Sequence, residues 1–167
     1  MTDSIAVLLL PGRLEGFALE AHARGLLAIP RVIALEASRR RGPRFARDSV
    51  SLRQARRLRL PGRLALLILY HPAQYPLARA LCAEHKQAEL WYVAPERGAL
   101  TGADAEELHD FDRLARTHAL YTIEAVSGAG IDEAPLRGRL RELDVISPRA
   151  FVPSARMTGR RGGSPKP

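Results

Sequence analysis

The sequence predicts an α/β fold with one open, mostly parallel sheet and helices on both of its faces. Two observations indicate this class. Short apolar runs such as "SIAVLLL" and "LALLILY" are typical of strands that are buried on both faces. These runs alternate along the chain with longer segments of helical spacing, as expected when parallel strands are joined by helical crossovers.

The strands are predicted from runs of apolar, β-branched and aromatic residues. They cover residues 4–10, 31–36, 64–70, 88–94 and 120–126, with a last short strand at 144–147. The run at 64–70 is the most apolar of these. We therefore expect that strand to lie in the middle of the sheet, with the first strand as its neighbour.

Helices are predicted between the strands, at residues 14–28, 76–86, 103–119 and 131–143. Pro76 suits the first turn of its helix, where the missing N–H is not needed. The third helix begins with carboxylates and ends with basic residues, an order that the helix dipole favours. A further short helix is predicted near 51–58, inside an arginine-rich loop.

The net charge of +8 is concentrated in two segments, so the rest of the chain is acidic. Residues 39–63 contain ten arginines and one aspartate, and residues 149–167 contain four arginines, one lysine and no acid. The loop is either a solvated surface or a surface for anionic partners. Nucleic acid is disfavoured, since only Phe45 lies among the arginines and stacking platforms are missing.

Charge density and composition also predict the domain boundaries. Residues 39–63 and the chain after 153 are expected to be the least ordered parts, because they cannot bury enough apolar surface. The folded domain is therefore predicted over 1–153, followed by a disordered basic tail at 154–167.

Several classes of protein are disfavoured by what the sequence lacks. The apolar runs are too short to span a bilayer, and the N-terminus has no basic region of a secretory signal. The lone Cys82 fits a reducing cytoplasm, which is the expected location. Neither a metal nor a cofactor is expected, because no Cys/His spacing suits a metal and "SGAG" lacks the third glycine of a dinucleotide loop.

Chemistry is expected at the carboxyl edge of the sheet, where open parallel sheets bind ligands. The polar residues that end or follow the strands are Gly12, Arg13, Glu36, His71, Gln74, Glu96 and Ser127. His71 either only ends its strand or serves as a base or hydrogen-bond donor. Glu36 either pairs with the neighbouring arginines or serves as a base. The helix after His71 is expected to aim free backbone N–H groups at the crevice.

Four segments of the chain, taken in order, resemble a known protein family. They are the opening strand, turn and helix up to "RVIALE", then "LLILYHPAQYPLARAL", "AELWYV" and "AEELHDFDRLARTHALYTIEAVSGA". In this order they resemble the N-terminal half of GT-B glycosyltransferases, of the glycosyltransferase 4-like kind. The resemblance extends over residues 4 to 153 and implies a Rossmann-like domain that binds the acceptor.

The resemblance also implies an incomplete enzyme. In this family a second domain holds the nucleotide-sugar site, and these residues do not include it, so no activity is expected from the chain alone. The candidates are His71 and Glu36 for catalysis, with Gly12, Arg13, Gln74, Glu96 and Ser127 for acceptor binding. The implied partners are a sugar or lipid-linked acceptor, a separate donor-binding domain and, peripherally, an anionic membrane.

One alternative stays open from the residues alone. The chain would then be a non-catalytic α/β binding protein that uses its arginine-rich loop on anionic lipid or nucleic acid. A truncated transferase, a split transferase and a stand-alone module remain equally compatible with the resemblance.

Overall fold

The structure, a computed structural model, describes residues 3–15, 17–36, 57–126 and 130–146. Its five strands form a single sheet in the order β2-β1-β3-β4-β5, and every neighbouring pair is parallel. The strands are β1 (Ser4–Leu10), β2 (Val32–Glu36), β3 (Arg63–Leu69), β4 (Glu89–Ala94) and β5 (Tyr121–Glu124). The predicted α/β class is confirmed, as is the central position of the third strand.

The helices in the described residues are α1 (Glu20–Leu27), α2 (Tyr75–Glu84), α3 (Ala105–His118) and α4 (Ala134–Glu142). The first begins later than the predicted start at residue 14. Two consecutive turns precede it, closed by bonds from Phe17 N–H to Leu14 C=O and from Glu20 N–H to Phe17 C=O. The side chains of Leu14 and Phe17 pack against the core from these turns, so the apolar spacing there does not require a helix.

The sheet separates two apolar cores, because successive strand residues point to opposite faces. On one face α1 and α4 pack against Leu8 and Ile68, and on the other α2 and α3 pack against Val7 and Leu67. The helical residues buried in the first core include Ala23, Leu26, Leu136 and Leu140, and those in the second include Ala78, Leu81 and Ala115.

The strand predicted at 144–147 is wrong for the residues that the structure describes. Asp144 has a φ of 59°, and its N–H bonds back to Arg141 C=O at 3.1 Å. The next N–H, of Val145, bonds to Leu140 C=O at 2.9 Å, and both of these side chains lie in the core. This pair of hydrogen bonds is a Schellman motif. It ends α4 and satisfies the last carbonyl groups of the helix, so the chain does not pair with a strand here.

The amino end of β3 depends on a glycine. A Cβ on Gly62 would lie 2.4 Å from the carbonyl oxygen of Asp3 and 2.7 Å from Ile5 Cγ2. The next residue, Arg63, donates its N–H to the same Asp3 oxygen at 2.9 Å. Only a residue without a side chain therefore lets β3 start so close to β1.

Some predictions lie mostly outside the described residues. These are the short helix near 51–58 and the low order expected of 39–63 and of the tail 154–167. Within the described ranges, no helix combines the length and apolar character needed to cross a membrane.

Candidate functional site at the carboxyl edge of the sheet

The strand order reverses between β1 and β3, and a crevice is expected at such a reversal, outside the carboxyl ends of the two strands. From β1 the chain moves to β2 on one side, and it then returns to β3 on the other side. Ligands in open α/β sheets bind at such a switch point. The two strand ends are joined here by the side chain of Gln74, whose Nε2 donates to the carbonyl oxygen of Leu10 at 2.8 Å.

His71 follows β3 and caps a short 3₁₀ turn, Pro72–Gln74, which leads directly into α2. Its Nδ1 accepts the N–H of Ala73 at 3.1 Å. Burial lowers the pKa of His71 below its ordinary value, so the ring is neutral at pH 7. Because a backbone N–H can only donate, Nδ1 is the unprotonated nitrogen and Nε2 carries the hydrogen.

This tautomer decides between the two functional roles expected for His71. A general base needs a free lone pair, and the only one on the ring is already engaged by Ala73. Among the residues that the structure describes, none is a hydrogen-bond partner of the Nε2–H. In this arrangement His71 therefore both caps the turn and offers a hydrogen-bond donor.

The expected row of free backbone N–H groups beside His71 is not found at residues 72–76. Pro72 and Pro76 have no N–H, and the three residues between them are already bonded. These bonds run from Ala73 N–H to His71 Nδ1, from Gln74 N–H to His71 C=O and from Tyr75 N–H to Pro72 C=O. Residues 72–76 therefore supply none of the free N–H groups that were expected there for an anionic or hydroxyl-bearing ligand, because proline and local capping remove these donors.

Gln74 carries a polar atom without a partner. The residue is only 9% exposed. Its amide nitrogen is fixed on Leu10 C=O, and its Oε1 is buried with no hydrogen bond to any described residue. An acceptor left in this state costs about 1–3 kcal/mol of stability. Such an atom in a native fold calls for an explanation, of which a ligand is one.

The loop after β1 forms the opposite wall of the crevice. Leu10 and Glu36 are register partners at the ends of β1 and β2. The Oε1 of Glu36 accepts the N–H of Leu14 at 3.4 Å, and the carboxylate is otherwise exposed. A Cβ on Gly12 would meet no atom within 4 Å, so there is open space beside this residue. Arg13 is exposed and forms no ion pair with the described residues.

The remaining predicted site residues lie further away. Glu96 is exposed, two residues beyond β4, and its carbonyl oxygen accepts the N–H of Ala99 at 2.9 Å. It therefore follows the strand beyond β3 and does not flank the switch point. Ser127 lies outside the described residues. Gly12, Arg13, Glu36, His71 and Gln74 are thus the predicted residues that share the β2-β1-β3 edge.

A buried network next to His71 was not predicted from the sequence. His22, on α1, binds Glu133 through Nδ1 and Tyr70 through Nε2, at 2.7 Å in both cases. Glu133 precedes α4 and also binds Arg137 at 2.8 Å, while Tyr70 directly precedes His71. The network therefore joins the end of β3 to both helices on that face. The available signal was the position of His22 among Leu19, Ala23 and Leu26, at the spacing of a buried helix face.

The protonation of this network follows from its burial. Burial lowers the pKa of His22, although the hydrogen bond to Glu133 works in the opposite direction. Burial works to raise the pKa of Glu133, but the bonds from His22 and Arg137 outweigh it and the pKa is lowered. A neutral His22 therefore donates from Nδ1 to the Glu133 carboxylate and accepts the Tyr70 hydroxyl at Nε2. Burial raises the pKa of Tyr70, which stays protonated.

A separate cavity of about 460 Å³ lies near the start of β4 and the ends of α2 and α3. Its lining includes Tyr75, Cys82, Glu89 and His118. Burial raises the pKa of the Cys82 thiol to about 11, so this sulfur is not a nucleophile at pH 7. In the described ranges, no group of three His, Cys, Asp or Glu side chains is placed to hold a metal ion.

Comparison of the chain with protein-family models, with curated proteins and with solved structures gave no match.

Proposed function

We propose that this chain is the acceptor-binding half of a nucleotide-sugar-dependent glycosyltransferase of the GT-B kind. The observation that supports the proposal is the proximity, at the carboxyl ends of β1 and β3, of the loop after Leu10, Glu36 and the turn from His71 to Gln74. The order of the segments along the chain, which resembles the N-terminal half of those enzymes, supports the same assignment.

The hydrogen-bonding groups of the crevice suit an acceptor better than a nucleotide donor. A donor needs its diphosphate held by cations or by free backbone N–H groups. Residues 72–76 offer no such group, whereas His71 and Gln74 offer neutral donor and acceptor atoms. The donor domain is then supplied by a further part of the same protein or by another chain.

The proposal gives each residue a role in transfer. Glu36, with its exposed carboxylate, takes the proton from the acceptor hydroxyl as that oxygen attacks the anomeric carbon. The bond from that carbon to the phosphate oxygen breaks, and the nucleoside diphosphate leaves. His71 and Gln74 orient the acceptor, and Arg13 faces an anionic group of a lipid-linked acceptor. Gly12 leaves room for the ligand.

The proposed location is the cytoplasm, with peripheral contact to anionic membrane. The arginine-rich residues 39–63 would supply the attraction, which is worth about 1 kcal/mol per basic residue near a charged surface. Vesicles of phosphatidylserine and phosphatidylcholine test this contact. Binding that falls steeply with added salt supports it, and equal binding to neutral vesicles contradicts it.

The experiment on function has two arms. The full chain alone, with UDP-glucose or GDP-mannose and an array of free and lipid-linked sugars, is expected to bind acceptors and release no nucleoside diphosphate. The chain combined with its donor domain is expected to release it. In the combined enzyme Glu36→Gln should lower kcat by about 10²-fold or more, the usual contribution of a general base. Glu142→Gln, at the far end of α4, serves as the matched control.

The results separate the two candidate functions. Release of nucleoside diphosphate by the chain alone would contradict the half-enzyme proposal. Anionic-vesicle binding without acceptor binding or transfer would favour the non-catalytic binding protein.

A further inference from the structure

His71 and Gln74 present complementary hydrogen-bonding atoms on one short turn. His71 offers Nε2–H as a donor, because its Nδ1 is occupied by Ala73. Gln74 offers Oε1 as an acceptor, because its Nε2 is occupied by Leu10. The two residues are three apart and are joined by a bond from Gln74 N–H to His71 C=O at 3.1 Å. This bond closes the turn that His71 caps, so the two residues lie next to each other at the end of β3.

A hydroxyl group donates and accepts at the same oxygen. We infer that His71 and Gln74 form a site for one hydroxyl of a neutral polyhydroxylated ligand, which donates to Gln74 Oε1 and accepts from His71 Nε2–H. The inference rests on the proposed function and specifies how the acceptor is recognised. It assigns both residues to positioning and leaves proton transfer to Glu36.

The same atoms discriminate against anions. The dianion of a phosphate monoester and a carboxylate are acceptors only, so they leave Gln74 Oε1 without a donor. The backbone of residues 72–76 adds no free N–H that could compensate. The pair of His71 and Gln74 therefore favours a sugar hydroxyl over a phosphate oxygen, and an anionic group of the same ligand would have to bind elsewhere, at Arg13.

Entry of a ligand requires a small local movement. The Oε1 atom is covered in this structure, so a hydroxyl reaches it only when the covering atoms shift. The Gly12 loop follows Leu10, the residue to which Gln74 is bonded, and it has open space on the side where other residues carry a Cβ. This space lies beside Gly12, next to the strand end that Gln74 contacts.

The test is a titration of the full, ¹⁵N-labelled chain observed by NMR. The probes are methyl α-D-glucopyranoside, as a neutral polyol, and methyl phosphate at pH 8, as an anion without a hydrogen-bond donor. We expect saturable shifts of the Gln74 side-chain amide and of the His71 Nε2 resonance with the glucoside and none with methyl phosphate. Gln74→Met and His71→Asn should each weaken glucoside binding by about tenfold, the loss expected for one hydrogen bond. Gln87→Met, an exposed glutamine near the start of β4, should leave the affinity unchanged.

Three results would overturn the inference. The first is a change of these chemical shifts with methyl phosphate but not with the glucoside. The second is an unchanged glucoside affinity in Gln74→Met. The third is a Gln74 amide that contacts bound water and responds to neither probe. The native titration needs no substitution, so a variant that fails to fold does not block the test. If Gln74→Met leaves sugar transfer by the combined enzyme unchanged, the hydroxyl site is rejected and the proposed function is not. Glucoside binding at this site without any transfer would reject the proposed function alone.

Discussion

The Nε2 atom of His22 lies 2.7 Å from the hydroxyl oxygen of Tyr70, and both residues are less than 10% exposed. Because Nδ1 of the same ring donates to Glu133, Nε2 can only be satisfied by the Tyr70 hydroxyl. This bond holds the last residue before His71 against α1. It therefore fixes the end of β3 from which the candidate site begins.

Tyr70→Phe tests the contribution of that bond. Removing the hydroxyl leaves Nε2 of His22 buried without a donor, so we expect a loss of about 1–3 kcal/mol in the free energy of unfolding. The measurement is urea denaturation followed by circular dichroism. Tyr121→Phe is the control, since Tyr121 is 45% exposed and its change should stay within about 0.5 kcal/mol. Equal stability of the two variants would contradict the proposed geometry.

His71 should make stability depend on pH. Burial holds its folded-state pKa below the ordinary value of 6.5, so below pH 6.5 the unfolded chain binds a proton that the folded chain does not. Stability must then fall as the pH is lowered from 7 through 6.5, down to the folded-state pKa. His71→Asn keeps a capping side chain but does not titrate, so its stability curve should be flatter. His22 has the same sign, so the slope should decrease without vanishing.

A second variant separates the contribution of the His71 cap to stability from the contribution of its titration. His71→Ala removes the acceptor of the Ala73 N–H and should cost about 1 kcal/mol more than His71→Asn at pH 7.5. Equal stability of these two variants would show that the Nδ1 bond contributes nothing to the turn.

Gly62→Ala should be strongly destabilising, because the new Cβ would lie 2.4 Å from a backbone oxygen. We expect a loss of about 1–3 kcal/mol, the usual range for overpacking. Gly138→Ala is the matched control: it lies within α4 and its Cβ would meet no atom within 4 Å. That change should raise stability by about 0.5–1 kcal/mol through helix propensity. Thermal unfolding of both variants checks the pair, and a loss of stability in Gly138→Ala would contradict the described packing of α4.

Asp144→Gly should stabilise the end of α4. Asp144 has a left-handed backbone, at a φ of 59°, and its charge lies at the carboxyl end of a helix. Glycine removes both penalties, so we expect a gain of about 1 kcal/mol. Asp144→Asn removes only the charge and should give a smaller gain. The bond from Arg31 to the Asp144 carbonyl oxygen uses the backbone and should persist in both variants.

The sheet could be predicted from the sequence because its strands are continuous apolar runs. The predicted strands at 4–10 and 64–70 differ from β1 and β3 by at most one residue at each end. The start of α1 and the end of α4 could not be predicted in this way. The side chains of Leu14 and Phe17 pack into the core from turns, and that of Val145 does so from a helix cap. The spacing of apolar residues alone therefore does not predict the backbone conformation there.

The position of the candidate site could be predicted from the sequence. The chemistry of its side chains could be predicted only in part. Parallel topology brings the residues after β1 and β3 together whatever their identity, which is why His71 and Gln74 were found. The tautomer of His71 and the unpaired oxygen of Gln74 depend on single hydrogen bonds that no sequence pattern encodes. The His22 network was missed because its three members are far apart in the chain.

The sheet that divides the two cores has a consequence for thermodynamic coupling. Leu26 and Leu81 are both fully buried, but they pack on opposite faces and share no core cluster. Truncations at such independent positions combine additively, to within about 0.3–0.5 kcal/mol. The face built from α1 and α4 can therefore be redesigned, for example to rigidify the crevice, without repacking the face built from α2 and α3.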